Sequence, residues 1–183
     1  MTKDTQQIII SGLGGQGVLF VTKVLADAAL AMGYSVLISE THGMAQRGGN
    51  VISHLKVSPM EEGRSFISPL IRPGRADVFL GLHSEAMPVH GHYLRPGGEA
   101  FCNSRDPSGA SHNVDATAIA FGLNSPVSAN LVLLGFSAAC GALFCDAARI
   151  ESVIESYGGK RLEASLRAFR AGCGAVPGSA GFN

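Results

Sequence analysis

Two segments concentrate the residue types from which a ligand site is built. The first, G-L-G-G-Q-G, sets Gly12, Gly14, Gly15, Gln16 and Gly17 between an apolar run and a stretch of helical periodicity. A backbone that turns tightly and brings its N–H groups against a phosphate at the positive end of a helix needs glycine there. The competing reading is that these glycines only let helix and strand pack closely. The second segment, Glu40 to Asn50, reads E-T-H-G-M-A-Q-R-G-G-N. It gathers His42, Gly43, Met44, Gln46, Arg47, Gly48 and Gly49 into one polar loop at the carboxyl end of a strand, where ligands bind in open α/β sheets. Such a loop is costly to order unless something contacts it. Arg47 reads as an anion or partner contact, against the alternative of a surface ion pair with Glu40 or Glu62. His42 has no partner carboxylate or nucleophile that would make it half of a catalytic pair, so no catalytic residue is assigned.

Other candidates carry less. Asn130 opens a nearly all-apolar helix, where an unpaired carboxamide would cost about 1–3 kcal/mol, so a backbone or ligand partner is expected. Arg72 and Arg75 flank Pro73 and Gly74 and are candidates for a phosphate contact. His83, His90 and His92 cluster around a short predicted helix without a metal-like ligand set, and read as surface histidines. Glu40 falls about where a dinucleotide fold carries its ribose-binding carboxylate. A free-standing NAD- or FAD-binding oxidoreductase is therefore the rival reading. No G-x-S-x-G nucleophile elbow occurs.

The elements that must position these residues follow from periodicity. Ile8 to Ser11 is a β-branched run ending at glycines, as a buried parallel strand does. Val18 to Ala29 repeats at helical spacing as far as Gly33, and Tyr34 to Ser39 reads as a second strand, which together predict a βαβ unit with a right-handed crossover. Val51 to Val57 alternates in mixed polarity, as a strand near a sheet edge would, with Met60 to Arg64 as its turn. Ala76 to Leu82 and Gly97 to Cys102 complete the predicted strands, with a short helix over Glu85 to Tyr93. Three helices are predicted to end the chain: Val127–Leu143, Ala147–Ser156 with Asp146 as N-cap, and Arg161–Ala171. The expectation is one α/β, Rossmann-like domain, a mostly parallel sheet flanked by helices with a helical C-terminal part. It spans residues 1–172, with residues 173–183 as a flexible tail.

Composition excludes several classes. Fourteen Lys and Arg balance fourteen Asp and Glu with no basic block, so nucleic acid is not an expected partner. An apolar fraction of 46% against 15% charged residues suggests a surface partly covered by another chain. Cys102, Cys140, Cys145 and Cys173 form no C-x-x-C pair, so neither a zinc knuckle nor an iron–sulfur cluster is encoded, and no metal site is assigned. The N-terminus lacks the pattern of a signal peptide, and a cytoplasmic protein with reduced thiols is expected. The uncharged stretch from Gly122 to Cys145 is broken by polar residues in its first half. Its apolar remainder, about 15 residues, is shorter than the roughly 20 a bilayer needs, so no membrane span is expected.

I-I-S-G-L-G-G-Q-G-V, E-T-H-G-M-A-Q-R-G-G, P-L-I-R-P-G-R-A-D-V and S-A-N-L-V-L-L-G together resemble the gamma domain of 2-oxoacid:ferredoxin oxidoreductases, and in particular the beta subunit of the indolepyruvate enzymes. Similarity runs from about Ile8 to Gly172. The resemblance implies that an oxo acid is decarboxylated on thiamine diphosphate. Electrons then leave through 4Fe–4S clusters to ferredoxin, and coenzyme A accepts the acyl group. It implies that thiamine and clusters sit on a larger partner subunit, that this chain binds no cofactor tightly by itself, and that it is inactive alone. The chain would help form the coenzyme A side of the active site and the subunit interface, with contacts to a second copy of itself also expected. By position, Gly12, Gly14, Gln16 and Gly17 would form one loop and His42, Gly43, Met44, Gln46, Arg47, Gly48 and Gly49 the other. The chain departs from the family pattern at Ser165 to Phe169, S-L-R-A-F, where an asparagine tends to precede the Ala-Phe pair.

Overall fold

The computed structural model describes residues 5–42, 48–60, 68–106 and 108–177. Six strands form one sheet in the order β2-β3-β1-β4-β5-β6. They are β1 (Gln6–Leu13), β2 (Tyr34–His42), β3 (Asn50–Pro59), β4 (Ala76–Gly81), β5 (Leu94–Asn103) and β6 (His112–Val114). β1 pairs in parallel with β4, β4 with β5 and β5 with β6, while β3 runs antiparallel to both β1 and β2. The sheet is mixed, with β3 alone against the common direction.

β1 and β2 share a direction and are joined by α1 (Val18–Ala31), yet they are not neighbours. β3 lies between them, so that Leu55 faces Ile8 on one side and Ile38 on the other. The βαβ expectation is thus corrected in adjacency, and β3 is corrected from edge to interior. The mixed polarity that suggested an edge has another cause. Ser53, His54 and Ser58 are buried; Ser53 shares the face of Leu55 and Val57 in the larger core, its Oγ without a partner among the described residues, whereas the face of His54 is overlaid by the coil that precedes β4. The Ile71 N–H donates to His54 Nδ1 at 3.2 Å, and Lys56 Nζ donates to the Ser68 carbonyl at 2.9 Å. A polar side chain satisfied by an overlying loop looks, in sequence, like one facing water.

The two faces of the sheet are covered unequally. The larger core joins Ile8, Ile10, Leu55, Val78 and Leu80 to α1 and to the C-terminal helices α4 (Ala129–Ala139), α5 (Ala147–Tyr157) and α6 (Leu162–Gly174). The smaller one sets Ile9, Ile52, Phe79 and Ala100 against Ile71 and the short helix α2 (Ala86–His90). β1 can present Ile8, Ile9 and Ile10 without interruption because both faces are buried.

The C-terminal helices begin and end on recognisable signals. Asp146 caps α5 by accepting from the Arg149 N–H at 2.8 Å, as expected. α4 is shorter than predicted, preceded by a 3-10 turn over Pro126–Ser128 and ending at Ala139. α6 continues through Gly172 because that residue is where α4 and α6 touch backbone to backbone. A Cβ on Gly172 would fall on the Val132 carbonyl oxygen, and one on Gly135 would fall on that of Phe169. Strand β6 and helix α3 (Ala116–Gly122) were not anticipated. At three and seven residues they are too short to carry a periodic signal. No helix among the described residues is long and apolar enough to cross a membrane.

Candidate functional site

The strand order places the change of direction between β1 and β4, because α1 carries the chain from β1 towards β2 while β4 leads on to β5 and β6. The strands stay paired as far as the Leu82 N–H to Ser11 carbonyl bond, and the connections that leave their carboxyl ends turn to opposite sides, which is where α/β sheets hold ligands. Gly12 to Gly17 occupy that position.

Local bonds hold the glycine turn rigid. Gln16 N–H donates to the Leu13 carbonyl at 3.0 Å, and Gln16 Oε1 accepts from the Leu13 N–H at 2.8 Å. The carboxamide is therefore oriented, with its Nε2 left for other partners. Gly12 is a packing glycine, since a Cβ there would lie 2.8 Å from Val18 Cγ2 and 3.1 Å from Leu82 Cβ. Gly17 is the N-cap of α1 in the left-handed region, φ 84°, and no side chain among the described residues caps the helix. The first N–H groups of α1 therefore lack intrahelical acceptors and carry the positive end of its dipole.

The two glycine segments meet. Gly14 N–H donates to the Gly49 carbonyl at 2.9 Å, and a Cβ on Gly14 would stand 3.4 Å from the Gly48 nitrogen. Glu40, Thr41 and His42 belong to β2 and Asn50 to β3, and of the residues between them Gly48 and Gly49 are described. Gly43, Met44, Gln46 and Arg47 lie outside the described residues, as does the His42 side chain. Asn130 reaches the same turn from α4. It is 91% buried, the complement of its 9% exposure. Its Oδ1 accepts from the Leu131 N–H at 2.9 Å, and its Nδ2 packs so closely on Gly17 that any side chain there would collide with it. That backbone bond is the partner expected for Asn130, and it leaves Nδ2 at the open end of α1.

A scan of family models matches residues 7–175 to the pyruvate ferredoxin/flavodoxin oxidoreductase family. The chain belongs to that family. It is 29% identical over 192 aligned residues to the indolepyruvate oxidoreductase subunit IorB of Thermococcus kodakarensis, covering 90% of this chain and 93% of that one. Against the same subunit of Methanothermobacter thermautotrophicus the identity is 26%, with 92% and 96% covered. Among solved structures, the gamma subunit of a keto/oxoacid ferredoxin oxidoreductase from Geobacter sulfurreducens superposes with a TM-score of 0.72 at 23% identity, covering 92% of this chain and 96% of that one. The 2-oxoglutarate:ferredoxin oxidoreductase of Magnetococcus marinus, described with 2-oxoglutarate, coenzyme A and succinyl-CoA bound, superposes with a TM-score of 0.73 at 20% identity. This chain is covered to 93% there, but it spans only 30% of that longer polypeptide.

For this family member the dinucleotide reading of Glu40 fails on topology. In the dinucleotide fold the ribose carboxylate ends the strand next to β1. Here β3 intervenes, which moves Glu40 away from β1 by two strand spacings, roughly 9–10 Å. Glu40 lines instead a groove with Leu19, Lys23 and Ile38 along the outer edge of α1 and β2. Arg72 and Arg75 precede the first residue of β4, at the end of the parallel strands remote from the glycine turn, and do not join the site.

The histidines are not all surface groups. His92 is exposed, but His83 and His90 are half-buried, and Ser11 Oγ lies 2.8 Å from His90 Nδ1 directly beneath the glycine turn. Burial, then the charges of His92 and His83, push the His90 pKa down. Burial also lowers His83, partly opposed by Glu85, and lowers buried His54. Each imidazole therefore favours its neutral form.

Beside the turn opens a cleft of about 640 Å3 that sequence reasoning missed. Gln16 lines it from the turn after β1, His83 and Glu85 follow β4, Asn103 ends β5 with Ser104 to Asp106 after it, and Asp115 and Thr117 stand at the start of α3. Asn103 is a strut, donating to the Leu82 carbonyl and Thr117 Oγ1 while accepting from the Thr117 N–H. Asp115 caps α3 through the Ala118 N–H at 2.9 Å and also binds Arg105 Nε at 3.2 Å. The only advance signal was the turn-forming D-P-S-G at Asp106 to Gly109, which says nothing of what lies opposite it.

Proposed function

We propose that this chain is a small, non-autonomous subunit of a 2-oxoacid:ferredoxin oxidoreductase that converts indolepyruvate or another aryl pyruvate to an acyl-CoA. Its contribution is the coenzyme A side of the active site and the surface that meets a larger subunit. The family match supports the reaction class, and the names of the relatives support the aryl substrate. One observation carries the site assignment: the Gly14 N–H to Gly49 carbonyl bond ties both glycine segments together at the N-terminus of α1. Backbone N–H groups there and the Asn130 carboxamide form a donor set suited to a pyrophosphate.

Thiamine diphosphate and 4Fe–4S clusters belong to the larger subunit on this reading, with ferredoxin reached through the complex. The cysteines of this chain do not fit a cluster. Cys102 Sγ donates to the His83 carbonyl at 3.1 Å, and burial pushes the Cys145 thiol up to about 12 and that of Cys173 up to about 11. No three potential ligands are gathered among the described residues. The work of this chain is to bind and orient coenzyme A, not to carry electrons.

The test is reconstitution. The chain should copurify with a larger thiamine- and cluster-containing subunit. Coenzyme A-dependent oxidation of indolepyruvate should appear only when the two are mixed. A larger subunit that is fully active alone, or NAD(H) binding by the isolated chain, would overturn the reading.

A further inference from the structure

The donor set at the glycine turn and the cleft next to it differ in sign, and the difference divides the labour between them. The turn offers N–H groups and a helix dipole, all favouring negative charge. The cleft carries three carboxylates, Glu85, Asp106 and Asp115, against the single guanidinium of Arg105, which is already engaged by Asp115. The carboxylates of Glu85 and Asp106 make no hydrogen bond or ion pair among the described residues; Asp106 accepts from Ser104 Oγ and Glu85 from the Val89 N–H only through their backbone carbonyls. A phosphate placed there would meet uncompensated negative charge.

What the cleft does offer is neutral hydrogen bonding. Gln16 Nε2 is free to donate, because its Oε1 is held by Leu13. The His83 imidazole supplies one donor and one acceptor in its neutral form. The two free carboxylates accept from N–H or O–H groups. Gln16 belongs to both places at once, since it is part of the glycine turn and lines the cleft.

We infer that the cleft receives the uncharged, amide- and hydroxyl-bearing arm of the ligand, the pantetheine portion of a coenzyme A-type molecule, and rejects its phosphorylated nucleoside. This rests on the coenzyme A reading above. The phosphates stay at the α1 N-terminus and Gln16 marks the junction between charged and neutral parts.

The test uses the assembled complex of this chain with its larger subunit and compares wild type with the variant Glu85→Ala/Asp106→Ala. Both residues are exposed, so the fold should survive, and the melting temperature checks that it does. Binding is measured for coenzyme A, pantetheine and 3′,5′-ADP. Losing the acceptors should weaken coenzyme A and pantetheine by about ten-fold or more, while 3′,5′-ADP binds as well as before or more tightly. KM for coenzyme A should rise with kcat nearly unchanged. If 3′,5′-ADP weakens in step with coenzyme A, the cleft holds the nucleotide and the inference is overturned. Unchanged binding of all three ligands also overturns it. If the wild-type complex binds no coenzyme A at all, the underlying reading fails rather than the division of the site.

Discussion

The contact between Gly17 and Asn130 is the joint on which the glycine turn rests, and its strength can be measured. In Gly17→Ala the new methyl meets two obstacles. The backbone at φ 84° is left-handed, which costs a residue with a Cβ about 1–2 kcal/mol. The Cβ would also collide with Asn130 Nδ2 and lie 3.3 Å from its Cγ, so the carboxamide must leave its place. That displacement sacrifices the Oδ1 bond to the Leu131 N–H, about 1 kcal/mol, and forces a poorer rotamer at about 0.5–1.5 kcal/mol. The total is about 3–4 kcal/mol. Asn130→Ala alone should cost about 1 kcal/mol, since it removes one bond and one half-satisfied buried amide. On that background Gly17→Ala has no amide to displace and should cost only the backbone part. A double-mutant cycle by urea denaturation of the full chain should therefore yield a coupling of about 1.5–2.5 kcal/mol. Equal costs of Gly17→Ala in both backgrounds would refute the argument that Asn130 is seated by the absence of a side chain at Gly17.

Two further outcomes are expected. Gly172→Ala should destabilise by about 3 kcal/mol, because its Cβ lands on the Val132 carbonyl and α4 can yield only by moving away. Gly174→Ala, with open space around it, should be neutral or stabilising by up to about 1 kcal/mol; equal melting temperatures for the two variants would contradict the packing. Stability should also fall on acidification. Burial holds His54, His83 and His90 below the ordinary imidazole value of 6.5. The unfolded chain therefore binds more protons once pH drops below 6.5, so the contribution is complete above that value and lost as pH falls through the depressed folded values. Urea midpoints across pH 5 to 8 that rise toward the acid end would count against this.

Much of the fold was legible because its signals are local. A run of three isoleucines ending at glycines can hardly be anything but a central strand, and Asp146 announces the start of α5 three residues before the N–H it accepts. The two glycine segments could be singled out from residue type alone, since few other residues turn so tightly or admit a backbone so near. The family motif is likewise a property of short contiguous stretches.

Adjacency was decided elsewhere. Nothing local in Val51 to Val57 says that β3 will slide between β1 and β2, because strand order depends on which long-range pairing buries the most apolar surface. That insertion displaced Glu40 from the ligand crevice, and the coil over His54 turned a polar strand into an interior one. The same holds for the cleft. Gln16, His83, Asp106 and Asp115 are scattered over a hundred positions, and only the parallel pairing of β1, β4, β5 and β6 brings their ends to one rim. Residue chemistry and turn geometry travel with the sequence; which chemistries face each other is a property of the sheet.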